Sequence, residues 1–302
     1  MASVPGAEGA TKVSRTERPL LRTLVGEPRQ VALWSLGRPA VGPSPILLLH
    51  GSAYSTRSVF DFPAVGGDDS YSLLWQLGQR GTTPFGLDFS GYSASRLPDR
   101  PAPEGINTYV DDAAAAAAFI REQTGLSPTV VCWSFGGQVA GRLAETHPGL
   151  VARLVLWGAT WGHDREHVPP SMRTLAPLPD PWRTNTAEHA ASDFCTPGTY
   201  DPDIVAPFVE RALRFDPISP SAARSAIARP VALFDAEAIR AETLIVHGEH
   251  DPWVTEADIA DLRRAIGQDR TGHEVVPRAD HNAQFSLTRD VLAACLAEFA
   301  RN

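Results

Sequence analysis

The chain has 302 residues, 43% of them hydrophobic and 21% charged, a globular balance that excludes a disordered polymer and allows one large domain or a core with an insertion. Its formal charge of −8 argues against a nucleic-acid binder built on a basic stripe and sets a field that repels polyanions. Arg carries almost all the positive charge, with Lys12 the single lysine, while 26 prolines and 24 glycines point to many turns or an irregular segment.

In chain order, residues 1–28 read as a flexible, polar start with no apolar h-region. A rhythm of strands and helices then begins. Gln30–Leu36 and Ile46–His50 read as strands, Tyr71–Arg80 as a helix and Pro84–Phe89 as a strand. Thr108–Glu122 reads as a helix rich in alanine, with Asp111 and Asp112 placed to suit the dipole of its first turn. Thr129–Trp133 is a strand, Gly137–Thr146 a helix and Leu154–Trp157 a strand. Runs such as Ile46–His50 and Thr129–Trp133 are apolar without alternation, as buried parallel strands are when helices cover both faces. The rhythm returns with strand Thr243–His247, helix Thr255–Ile266, strand Glu274–Val276 and helix Thr288–Arg301. The fold class is therefore α/β, a mostly parallel, doubly wound sheet.

Between Trp161 and Ala238 the alternation breaks. This stretch holds 11 of the prolines but only Gly162 and Gly198 among the glycines, and it contains the amphipathic piece Asp203–Phe215. A structureless loop of that length is implausible in a compact domain. It reads as an inserted, mainly helical cap at 161–238, with 29–160 and 239–302 forming the core. Cys132, Cys195 and Cys295 are odd in number and show no pairing pattern. No apolar run is long enough to span a bilayer. The expectation is a soluble cytoplasmic protein whose partner is a small-molecule substrate, with no nucleic acid and no membrane.

The sharpest chemical signal is Val131-Cys132-Trp133-Ser134-Phe135-Gly136-Gly137 at a strand end with a helix following. A serine hydroxyl is a poor nucleophile unless it is held exposed beside a base. A tight strand-to-helix turn holds it so, and needs small residues two before and two after, here Cys132 and Gly136. The helix start aims backbone N–H groups at developing negative charge, and Phe135 supplies one donor. Leu47-Leu48-Leu49-His50-Gly51-Ser52 is an apolar strand ending where Ser52 or Ala53 can supply a second donor, with His50 shaping that loop. Asp88-Phe89-Ser90-Gly91-Tyr92-Ser93-Ala94-Ser95 is a D-x-x-G-x-x-x-S turn after the next strand. Leu244–Asp251 puts an acid past a later strand, and Arg278-Ala279-Asp280-His281 a histidine past the last one.

Together these motifs, in this order, resemble the α/β-hydrolase superfamily, from about Gln30 to the C-terminus. The resemblance implies a cofactor-independent serine hydrolase with a lid. It makes Ser134 the nucleophile, His281 the general base and then acid, and Asp251 the residue that orients His281. The oxyanion donors are the N–H groups of Ser52 and Phe135. Asp280 competes for the acid role, but as the immediate neighbour of His281 its side chain should point elsewhere. The other place where relatives carry the acid, Trp157-Gly158-Ala159-Thr160, has no carboxylate.

Tyr54, Trp133, Trp161 and Trp182 are the candidate pocket residues, and aromatics in the cap suggest an apolar ester, lactone or thioester. Carbon–carbon hydrolysis, or lyase or cyclase chemistry with the same residues, is the alternative. His50-Gly51-Ser52 resembles carbon–carbon hydrolases, although Ala53-Tyr54-Ser55 replaces their Gly-Pro-Gly. A catalytically silent receptor is the alternative of another class. His163-Asp164-Arg165-Glu166-His167 superficially fits a zinc pattern, but Val168-Pro169-Pro170 would cut its helix short, so no metal is expected. His247 and His250 read as strand-end and loop residues.

Overall fold

Apolar runs become strands wherever helices can cover both of their faces. In the computed structural model, which describes residues 21–26, 30–37, 43–62, 65–159, 161, 178–228 and 233–302, the strands of the first half are β1 (Leu21–Val25), β2 (Val31–Ser35), β3 (Pro45–Leu49), β4 (Thr83–Leu87), β5 (Thr129–Trp133) and β6 (Arg153–Trp157). They are followed by β7 (Trp182–Thr184), β8 (Ile218–Pro220), β9 (Glu242–Gly248) and β10 (Thr271–Val276). One sheet of eight strands runs in the order β1-β2-β4-β3-β5-β6-β9-β10. From β4 to β10 every pairing is parallel, while β2 is antiparallel to both β1 and β4. This is the α/β architecture expected from the alternation.

Side chains alternate across the sheet into two cores. Leu47, Leu49, Val130 and Cys132 pack under the helices Ile106–Thr124, Gly136–Thr146 and Glu256–Ile266, whereas Ile46, Leu48, Val131 and Trp133 pack under Leu73–Gln79 and Arg289–Arg301. Each fully buried aliphatic side chain in such a core contributes about 1.5–3 kcal/mol of transfer free energy.

Two expectations are corrected. Leu21–Val25 lies within the stretch read as a flexible start, yet it pairs antiparallel with β2 in register Leu21↔Ser35 to Val25↔Val31. Five residues of mixed polarity carry little strand signal alone, and the free edge of β2 supplies the hydrogen bonds that make them a strand. The alanine-rich helix starts at Ile106 rather than Thr108 and stops at Gly125, whose φ of 77° gives the left-handed cap. Asp112 consequently falls beyond the first turn, and its carboxylate instead accepts from the N–H and hydroxyl of Ser90 at 2.8 and 2.9 Å.

Between β6 and β9 the chain leaves the sheet. The described part of this insertion contains helices Ala187–Ala191, Val205–Phe215 and Ser221–Ile227, together with an antiparallel ribbon of β7 and β8 that the sequence pattern did not announce. The ribbon sits close to the core. A Cβ on Gly91, whose φ is +85°, would lie 2.6 Å from Pro220. Residues 1–20, 162–177 and 229–232 lie outside the described residues, and so do the His163–His167 cluster and the greater part of the N-terminal segment. Among the described residues no helix is long and apolar enough to cross a membrane.

Candidate active site

The sharp turn at Ser134 is built by backbone constraints. β5 ends at Trp133, and the Ser134 N–H still donates to Trp157 of β6 at 3.0 Å, as if the strand continued. The Ser134 carbonyl already accepts from Gly137 at 2.9 Å, opening the helix Gly136–Thr146. One residue thus serves strand and helix at once, and it does so at a φ of 56°, a conformation that costs a non-glycine residue about 1–2 kcal/mol. Gly136 is required because a Cβ there would lie 2.6 Å from the carbonyl oxygen of Leu49 and 2.8 Å from that of His50. Cys132 serves as the other small residue. It is buried, its thiol lies 3.0 Å from the Val155 carbonyl oxygen, and burial pushes it up to about 12, so it stays a neutral packing group.

His281 and Asp251 come from the loops after β10 and β9. The Nδ1–H of His281 donates to the Asp251 carboxylate, at 2.9 Å to Oδ2 and 3.1 Å to Oδ1, which leaves Nε2 as the ring atom available for chemistry. Asp251 Oδ1 also accepts from the Trp253 N–H at 2.9 Å, and the Trp133 indole N–H donates to the His281 carbonyl at 2.9 Å, so both residues are clamped. Burial presses the histidine's pKa downward. The charge and hydrogen bond of Asp251, together with Asp193 and Asp280, outweigh it and hold His281 above the ordinary value. Asp280 points elsewhere, accepting from the N–H groups of Asn282 and Thr196 at 2.9 and 3.1 Å. Gly158, at the other possible acid position, lies against the pair. A Cβ there would sit 3.1 Å from both Asp251 Oδ2 and the His281 ring.

The loop after β3 is oriented by His50. Its Nε2 accepts from the Phe89 N–H at 3.1 Å, so the ring proton is on Nδ1, which donates to the Gly51 carbonyl at 2.8 Å. Burial drives this histidine down to about 4, against a smaller opposing effect of the Gly51 bond, and it therefore stays neutral near pH 7. In a trans peptide the C=O and N–H point in opposite directions, so anchoring the Gly51 carbonyl fixes the Ser52 N–H. The hydroxyl of Tyr92 donates to the Ser52 carbonyl at 2.9 Å and fixes the next peptide in the same way.

Ser134, His281, Ser52 and Phe135 line one cavity of about 330 Å³ at the carboxyl ends of the parallel strands, the place where open α/β sheets bind ligands. Among the described residues, the N–H groups of Ser52 and Phe135 have no protein acceptor. Trp133 lines the same cavity.

Tyr54, Trp161 and Trp182 do not line it. Tyr54 is 1% exposed and packs edge-on to Phe208 at 5.6 Å. Trp161 is buried beside Phe234, its N–H donating to Asp258 and its indole to the Phe234 carbonyl. Trp182 borders a separate cleft with Ser90, Arg100 and Glu104. Other aromatics of the insertion are also buried away from the cavity, since Phe194 and Phe208 pack against each other and against Phe62 and Phe285 of the core. What the insertion presents to the cavity is His189, Ser192, Asp193, Arg224 and Ile227. Sequence reasoning missed these residues, because a lone polar residue on a short helix carries no signal of facing a cavity.

The sheet, the turn at Ser134 and the cavity at the strand ends define the α/β-hydrolase class. Residues 70–286 match the family described as Hydrolase_4, serine aminopeptidase S33, and the chain belongs to that family. No curated protein matches it in sequence. Among solved structures it is similar to the 2-hydroxy-6-oxo-6-phenylhexa-2,4-dienoate hydrolase of Rhodococcus sp. strain RHA1, with a TM-score of 0.68 and 19% identity over 94% of this chain and 100% of that one. It is similar also to a thermophilic esterase from Thermogutta terrifontis, with a TM-score of 0.65 and 17% identity over 94% and 98%. A third likeness is to the thioesterase domain of the curacin biosynthetic pathway, with a TM-score of 0.62 and 15% identity over 94% and 100%. At these identities the likeness is one of fold.

Proposed function

We propose that the chain is a serine hydrolase of the carboxylic ester hydrolase type (EC 3.1), cleaving an ester, lactone or thioester of a small molecule without a cofactor. The observation that carries this reading is a serine held at positive φ in the same cavity as a histidine whose Nδ1 is bound by a buried carboxylate. In this mechanism the Ser134 oxygen attacks the carbonyl carbon while its proton passes to Nε2 of His281. The oxyanion meets the N–H groups of Ser52 and Phe135. His281 then protonates the leaving group, and a water molecule, deprotonated by the same nitrogen, releases the acid. Asp251 holds the imidazole in the right tautomer and stabilises its cation. The insertion acts as a cap that closes the cavity and limits water.

A fluorophosphonate probe tests this reading. The native chain is expected to carry the label on Ser134 by mass spectrometry, and Ser134→Ala to escape it. Absence of label on the native chain, with the cavity open to a small probe, overturns the assignment of the nucleophile.

A further inference from the structure

The wall that the insertion gives to the cavity is rich in hydrogen-bond donors and carries an uncompensated charge. Arg224, on the helix Ser221–Ile227, is half-buried and lines the cavity with His189, Ser192 and Asp193. Among the described residues, its guanidinium has no hydrogen-bond or ion-pair partner. A cation taken partly out of water without an acceptor is unfavourable, and guanidinium is the group best matched to a planar carboxylate.

We propose that this wall is a carboxylate subsite, with Arg224 as its ion-pairing donor, so that the substrate of the Ser134 site carries a carboxylate in addition to the bond that is cleaved. The proposal rests on the assignment of Ser134 as nucleophile and gives that site its substrate class.

The neighbouring charges agree with it. Burial first, and then the positive charges of Arg183 and Arg224, depress His189 below the ordinary histidine value, so near pH 7 it is a neutral imidazole able to donate one hydrogen bond. Burial and repulsion from Arg183 also lower Arg224, with Asp193 acting in the opposite sense from beyond ion-pair distance. Asp193 is the one acid of this wall. Burial drives it up to about 7 despite the opposing pull of His281 and Arg183, so at neutral pH it is divided between acid and carboxylate and leaves the wall net positive. A bound carboxylate drives Asp193 further towards its acid form, in which it donates rather than repels. A phosphate dianion would meet only one guanidinium and the same acid, and fits less well. The apolar floor of Trp133, Phe135 and Trp253 suits the carbon skeleton between the two ends of the substrate. The expectation of an apolar substrate drew on aromatics of the insertion, but Phe194 and Phe208 pack against Phe62 and Phe285 of the core, and Trp161 against Phe234, away from the cavity.

The test compares matched pairs on the full chain. Mono-4-nitrophenyl adipate and 4-nitrophenyl hexanoate differ in their terminal group, and the native chain is expected to favour the adipate at least tenfold in kcat/KM, the scale of one charged hydrogen-bonding contact. Arg224→Gln should lower the adipate-to-hexanoate ratio at least tenfold, and Arg224→Lys should retain part of it, each with a melting temperature near the native one. Calorimetry on Ser134→Ala separates this subsite from the chemistry. Adipate is expected to bind at least tenfold tighter than adipamide, and this difference should vanish when Arg224→Gln is added. Equal binding of adipate and adipamide, or an Arg224→Gln loss shared equally by both esters, overturns the subsite. Failure of fluorophosphonate labelling with adipate binding intact overturns the nucleophile and leaves the subsite standing.

Discussion

The carboxylate of Asp216, at the end of the insertion's helix Val205–Phe215, accepts from both the N–H and the hydroxyl of Ser55 in the core, at 2.9 and 2.6 Å through Oδ2. Its Oδ1 accepts from the Ser93 N–H at 2.9 Å. Asn185 spans the same junction, its amide donating to the carbonyls of Ala53 and Asp216 at 3.2 and 2.8 Å. The insertion is thus tied to the two loops that shape the Ser52 donor, one carrying Ser52 and the other carrying Tyr92.

Asp216→Asn replaces one of the acceptor oxygens with a donor. It should destabilise the chain by about 1–3 kcal/mol and lower kcat more than it raises KM, because the Ser52–Ser55 loop loses its anchor. Chemical denaturation and steady-state kinetics on one ester measure both effects.

Burial raises Asp216 from 3.8 to about 6 and Asp88 from 3.8 to about 7. The folded state therefore holds these protons more tightly than the unfolded state does, and stability falls as pH rises from about 4 to about 7. His50, lowered from 6.5 to about 4, acts in the opposite sense between those values. Asp193, raised to about 7 as well, acts with these two acids, and together the three should prevail, giving a melting temperature that declines across this window. Asp216→Asn should flatten the decline, and an unchanged slope would remove Asp216 from the account.

In the proposed mechanism His281 accepts the proton of Ser134 only when unprotonated, so kcat/KM should rise with pH through the pKa of His281, which lies above the ordinary histidine value. Asp251→Asn removes the main raising influence and the tautomer lock. The acid limb of the pH profile should move to lower pH, and kcat should fall by about 10²–10⁴. A pH-rate series on both chains reads the two effects together.

His50→Ala removes the donor that holds the Gly51 carbonyl. The expected loss is about 10–100-fold in kcat with KM little changed, the signature of a weakened oxyanion contact. Since His50 is already neutral near pH 7, the pH profile should keep its shape above pH 5. A displaced limb would point to a direct proton-transfer role instead.

Gly158→Ala puts a methyl group 3.1 Å from both Asp251 Oδ2 and the His281 ring, at a φ of +56°. Displacing this pair by a few tenths of an ångström should cost at least about tenfold in kcat. The strained conformation should cost about 1 kcal/mol in stability. Thermal unfolding beside kinetics distinguishes the two losses.

Much of this molecule is legible in its residues. Continuously apolar Pro45–Leu49 and Thr129–Trp133 could be stable only between two helical layers, and there they lie. Cys132-Trp133-Ser134-Phe135-Gly136 announced a tight turn because only small residues fit there against the neighbouring strand, and the Leu49 carbonyl is the atom that enforces it at Gly136. Chain-local rules reach this far because a strand, a helix start and a turn are decided by neighbours within a few residues. β1 was not legible, since its five residues of mixed polarity carry little strand signal and take strand form only by pairing with the edge of β2. Tyr54, Trp161 and Trp182 failed as pocket residues for a related reason, because an aromatic ring satisfies an interior as readily as a cavity wall.

The sequence by itself determined an acidic α/β chain with an insertion after β6, the strained turn at Ser134, and the placing of Asp251 and His281 past strand ends. Hydrophobic period, glycine positions and motif order encode those features directly. Only the tertiary structure decided that the insertion turns Arg224, His189 and Asp193 towards Ser134 and buries its aromatics, and that Asp216 ties it to the Ser52–Ser55 loop. Which side of a short helix faces a cavity depends on packing between segments far apart in the chain, and no local pattern records it.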